Sequence, residues 1–168
     1  MSSEDGLAHV AWTRRYLDNS GFFQQTVSYT TIDSSCLMTP VQDIMEPILL
    51  SEGKYWGIGM DIDGPEILLA GYHHKLNTGS SNENTAVFMA MSESPTKSTD
   101  WIINPQVVGG LDVVSGGTDP VAVGIGEEDG HILYQDTRND TTGLDRLGLW
   151  YSHGLPEQTS WSLSLIHI

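Results

Sequence analysis

Two stretches of this chain carry the same short motifs in the same order, and this self-similarity restricts its possible folds more than any other feature. Tyr55 to His74 reads YWGIGMDIDGPEILLAGYHH, and Val121 to Asp140 reads VAVGIGEEDGHILYQDTRND. Both contain Gly-Ile-Gly, then Asp-Gly, then a short apolar run. Each continues through a polar loop into a second apolar run, TAVFMAMSES at Thr85–Ser94 and RLGLWYSHG at Arg146–Gly154. Each then closes on a tryptophan, with Trp101 nine positions after Ser92 and Trp161 nine after Ser152. A less complete third copy opens the chain. Its Leu7–Trp12 (LAHVAW) is expected to be an inner strand and Gly21–Thr31 (GFFQQTVSYTT) the strand that follows.

The apolar runs are short, rich in Val, Ile, Leu, Tyr and Trp, and bounded by DG, NTGSS, SGG and RNDTTG clusters, a pattern that predicts strands joined by turns. Glycine is frequent, 18 residues against only 7 Lys and Arg, which fits many turns and few surface helices. A small sheet of three or four strands cannot bury both faces until neighbouring repeats stack on it. The expected fold is therefore all-β, an incomplete β-propeller of two to three blades made of short antiparallel strands. Its units cover about 7–50, 51–109 and 119–162, with Trp101 and Trp161 as packing residues. Closure of such a ring needs at least four blades, so the chain reads as part of a longer repeat array. The last six residues, Leu163–Ile168 (LSLIHI), have the sequence expected of a translated sequencing adapter, and are set apart from the fold on that ground.

The formal net charge of −15 repels phosphate backbones and anionic lipid, so nucleic acid and membrane surfaces are not expected partners. A neutral or cationic ligand suits this surface better. Cys36 is the only cysteine, so no intrachain disulfide forms. The first twelve residues lack the basic start and apolar core of a signal peptide, and the expected location is cytoplasmic or non-classically secreted.

LAHVAW, the run PVAVGIGEEDGHILYQDTRND and the closing tryptophans together resemble the fungal fucose-specific lectins. That resemblance, spread over about Leu7–Ser162 and strongest at Asp119–Trp161, implies a propeller that binds fucosylated glycans between blades. In that family an arginine opens the second strand and a glutamate lies on the third. The positions that match the arginine here are His131 and Glu66, and the third strands offer no aligned glutamate. HILYQDTRND followed by GLWYSH and a late tryptophan also resembles the sialidase-like propellers, which would make the parent an exo-glycosidase. The Asp-box turn of those repeats is missing from SESPTKSTDW and SHGLPEQTSW.

The expected ligand-binding residues are Tyr134, Gln135, Arg138, Trp150 and Tyr151, because aromatic rings stack on sugar C–H faces and amides bond hydroxyls. Buried packing between blades is the competing expectation for the aromatics. The expected partners are glycans or glycoconjugates. No residues form a catalytic centre by spacing, and neither a cofactor nor a metal is expected. Asp61, Asp63 and Glu127–Asp129 sit at turns, while adjacent His73 and His74 on a strand point to opposite faces and do not share a metal. A lectin-like binding module is the leading expectation, with an exo-glycosidase and a protein-interaction propeller as alternatives.

Overall fold

The structure is a computed structural model that describes residues 6–75, 84–111, 121–127, 129–136, 148–155, 157–158 and 161–166. These form three open, four-stranded antiparallel sheets, each built from strands consecutive in the chain, with no α-helix among the described residues. The first sheet contains β1 (Ala8–Leu17), β2 (Phe23–Ile32), β3 (Gln42–Asp43) and β4 (Ile48–Leu49), with β3 and β4 both pairing β2. The second runs β5 (Gly53–Asp63), β6 (Glu66–Lys75), β7 (Asn84–Glu93) and β8 (Ile102–Leu111). The third runs β9 (Ala122–Ile125), β10 (Gly130–Asp136), β11 (Gly148–Gly154) and β12 (Ser162–Ile166).

The strands outrun the apolar runs that predict them, because polar residues continue the ladder on both sides. Turns are set by local chemistry. The Asp18 carboxylate accepts the backbone N–H groups of Ser20 and Phe22 at 2.8 and 2.9 Å, and Gly21 supplies the positive φ that this hairpin needs. At the β5–β6 corner Asp63 leads into Gly64, also at positive φ.

The second sheet lies between the other two and is buried on both faces, which explains the unbroken apolar run Ile67–Ala70, each residue at most 1% exposed. Leu68, Ala70, Tyr72, Val87 and Met89 pack toward Ile132, Tyr134 and Trp161 of the third sheet. Ile67, Leu69 and Ala90 pack with Trp101 against Tyr29 of the first. Each fully buried aliphatic side chain contributes roughly 1.5–3 kcal/mol of transfer free energy. His73 and His74 take opposite faces as expected, but as buried residues. His73 stacks on Tyr55, and His74 hydrogen-bonds the Thr85 hydroxyl at 3.0 Å beside Trp56.

Trp101 and Trp161 are both buried, their indole N–H groups donating to the Gln42 side-chain oxygen and the Leu155 carbonyl, each at 3.0 Å. Ser92 and Ser152 mark the true equivalence of the second and third sheets. Ser92 stands opposite Ile67 and donates to the Asp100 carbonyl at 2.8 Å; Ser152 stands opposite Ile132 and donates to the Ser162 carbonyl at 2.7 Å. On that frame the two Gly-Ile-Gly motifs are not equivalent. Gly59 faces Ala70 in mid-strand next to a bulge, whereas Gly124 faces His131 near the hairpin end. The motifs use glycine for different contacts, Gly59 for the close approach of the Val121 backbone and Gly126 for that of His131 and Asp129 at the hairpin.

The opening segment also departs from expectation. Gln25 on β2 exchanges hydrogen bonds with the Tyr55 backbone, and Tyr29, further along β2, packs with Ile62, further along β5. β2 therefore runs in the direction of β5, and β1, antiparallel to β2, runs against it. Leu7–Trp12 thus does not supply a counterpart of β5. β12 pairs with β11 from Leu149↔Ile166 to His153↔Ser162, and 167–168 lie outside the described residues.

Candidate functional site

Four of the five expected ligand-binding residues, Tyr134, Gln135, Trp150 and Tyr151, lie on β10 and β11, and strand alternation divides them between two faces. Tyr134 stands opposite Trp150, Gln135 opposite Leu149, and Tyr151 opposite Leu133. Tyr134, 1% exposed, is part of the core between the second and third sheets, and Trp150 packs against that core. The expectation that Tyr134 offers a ring to a ligand is therefore corrected: its face is covered by the neighbouring sheet. Gln135 serves the same junction through its backbone. Its N–H donates to the Tyr72 hydroxyl oxygen at 2.8 Å, and that hydroxyl donates to the Gln135 carbonyl at 3.2 Å. Arg138 lies outside the described residues, as do Asn139 and 115–117.

Among the described expected residues, Gln135 and Tyr151 take the other face of the third sheet, and there the half-buried Tyr151 ring joins residues that sequence reasoning did not bring together. Its hydroxyl meets His131 Nδ1 at 2.5 Å. His131 Nε2 lies 3.0 Å from Asp129 Oδ1, and His153 Nδ1 lies 2.8 Å from Asp129 Oδ2. One carboxylate thus bridges two imidazoles. His131 and His153 are directly opposed across β10 and β11, while Tyr151 and His153 sit two apart on β11 and share its face. The three rings are nearly parallel, at 13–23°, with centroids 5.4–5.9 Å apart.

Asp129 is held at the hairpin by its own carbonyl, which accepts the Gly126 N–H at 2.7 Å. A Cβ on Gly126 would fall 2.6 Å from His131 Nε2 and 2.8 Å from Asp129 Oδ1, so glycine there keeps the His131–Asp129 contact open.

With Asp129 ionised and both imidazoles neutral, the contacts define the donor and acceptor roles. The carboxylate then only accepts, so His131 Nε2, 3.0 Å from Asp129 Oδ1, carries the ring hydrogen, and His131 Nδ1 accepts from the Tyr151 hydroxyl. His153 donates from Nδ1, leaving Nε2 as an acceptor. The side chains of Asp129, His131 and His153 are 29%, 36% and 43% exposed. The cluster therefore presents ring surface, a carboxylate and an imidazole acceptor side by side at the surface. That set suits a ligand rich in hydroxyl donors and C–H faces.

Asp61 is occupied elsewhere, accepting the Ile125 N–H at 3.0 Å between the second and third sheets. Among the described residues no group of three or more His, Cys, Asp or Glu side chains is placed to hold a metal ion. The sequence signal for the cluster was partial: His131 stood out as a second-strand position, and Tyr-x-His on a strand shares a face. Only the pairing of β10 with β11 joins them to Asp129.

No protein-family model matches this chain, and no curated protein is detectably similar to it.

Proposed function

We propose that this chain is a carbohydrate-binding, lectin-like module, and that it takes neutral glycans, fucosylated ones among them, at Tyr151, His131, His153 and Asp129. The supporting observation is the half-exposed array of three near-parallel rings bridged by one carboxylate. Rings offer faces to sugar C–H groups, and the carboxylate and the His153 Nε2 accept hydroxyl hydrogens. The acidic surface favours a neutral over an anionic sugar.

In the same proposal the three sheets are propeller-type blades of an unclosed array. Support comes from their order, each a run of consecutive strands, and from the parallel contact of β9 with β5. There the Val121 N–H reaches the Gly57 carbonyl and the Ile125 N–H reaches Asp61.

The test is titration calorimetry with neutral mono- and oligosaccharides, fucosides included, on the intact chain and on Tyr151→Ala and Asp129→Asn. Saturable binding lost in both variants supports the proposal. Binding unchanged in both, or turnover of aryl glycosides without retention of sugar, overturns it.

A further inference from the structure

The second and third sheets each begin with a strand, β5 or β9, that pairs within its sheet only with the next one, β6 or β10. The first sheet has no such strand among the described residues. Two relationships identify which places its strands do fill. β1 runs against β5, as β6 does, and β2 runs with β5, as β7 does. Further, the segment before β8 touches the first sheet at β3, where Gln42 Nε2 donates to the Pro95 carbonyl and Gln42 Oε1 accepts the Trp101 indole N–H. The segment before β12 touches the second sheet at β8, where Asn104 Nδ2 donates to the Gln158 carbonyl at 2.6 Å. β3 thus stands to its sheet as β8 stands to the second, and β1 and β2 stand as β6 and β7.

The far edge of β1 is then the edge that β5 and β9 cover in the other two sheets. Its backbone polarity follows from the pairing. On β2 the Val27 and Thr31 carbonyls accept from Ile44 and Thr39, so odd-numbered β2 residues turn their backbone groups away from β1. Even-numbered residues of β2 and their even-numbered partners on β1 make the ladder. Ala11, Thr13 and Arg15 therefore direct N–H and C=O groups to the outer edge. β1 is ten residues long, unbroken by proline or a bulge, which is the form of edge that accepts another strand.

We propose that the outer edge of β1 is an acceptor for one extended peptide strand, antiparallel to β1 and of the kind that β5 provides in the second sheet. The partner is an unfolded peptide segment with that apolar, glycine-containing pattern, bound through its backbone along Ala11, Thr13 and Arg15. This is independent of the glycan proposal, since the edge lies on the first sheet and the ring cluster on the third.

The probe is a fluorescent peptide with the sequence of Lys54–Asp63, KYWGIGMDID, added to the intact chain and followed by anisotropy. Two N-methylated versions, one for each alternate set of amides, and a scrambled version complete the set. Expected are saturable binding of the unmodified peptide, at least a tenfold loss for only one N-methylated version, and slowed amide exchange at Ala11, Thr13 and Arg15. Because the changes are made in the peptide, a failure of the protein to fold does not enter. Absence of binding, equal effects of the two N-methylated sets, or binding as tight to the scrambled peptide overturns the proposal. So does prior protection of these amides in a concentration-dependent dimer, which would make a second copy the occupant.

Discussion

The Val121 carbonyl oxygen lies 1.9 Å from where a Cβ on Gly59 would stand, so the second and third sheets meet through backbone at a point that admits no side chain. Val121 also donates its N–H to the Gly57 carbonyl at 2.9 Å. Gly59→Ala must push β9 away from β5 and is expected to cost about 1–3 kcal/mol, as overpacking does. Gly124→Ala is the control, its nearest neighbour being the His131 Cβ at 4.0 Å. Urea denaturation of both variants checks this; equal midpoints would refute it.

Tyr134 and Tyr151 are expected to separate stability from binding. Tyr134→Ala empties a core position and should destabilise by about 3–5 kcal/mol. Tyr151→Ala, on the open face, should leave the thermal midpoint within a few degrees and abolish glycan binding. Thermal melts and calorimetry on the pair distinguish the two roles.

Acid should loosen two turns before the sheets. Backbone donation by Phe22, then the Gln24 amide, holds the Asp18 carboxyl below its ordinary value. The Thr96 N–H and hydroxyl do the same for Asp100 ahead of Trp101. A depressed folded value means the stabilisation is present above the unfolded value of 3.8 and is lost as pH falls through the folded one. Asp18→Asn and Asp100→Asn should flatten the acid limb of a stability–pH curve measured by urea denaturation, and an unchanged limb would contradict this.

Alkali acts on Tyr55. Burial, followed by the nearby Glu46 charge, pushes its phenol from 10.0 up to about 12, and its hydroxyl donates to the Glu46 carbonyl at 3.0 Å. A raised folded value means that the contribution is complete below pH 10 and is lost as pH rises toward 12. Tyrosinate absorbance should show a late step, missing in Tyr55→Phe, that coincides with unfolding.

Short-range features of the fold were legible in the chain. The Asp-Gly corner at Asp63–Gly64, the apolar run Ile67–Ala70 and the burial of Trp101 and Trp161 all follow from turn chemistry and hydrophobic content. The matching nine-residue intervals from Ser92 and Ser152 proved a better guide to equivalence than the glycines, because each serine hydroxyl is tied to the backbone beside its tryptophan.

Within the candidate site the aromatic content of β10 and β11 was visible, but its distribution was not. One residue's difference in position sends Tyr134 into the core and the neighbouring strand's Tyr151 to the surface, and sequence does not say which face a further sheet will cover.

By itself the sequence determined that this is an all-β chain of antiparallel strands, because turn residues and apolar runs are local properties. Tertiary structure decided the rest. It set the direction of β1 against β5, the backbone approach of Val121 to Gly59, and the meeting of Asp129 with His131, His153 and Tyr151. These depend on how whole strands pair and stack, and residues distant in sequence come together only when the sheets are assembled.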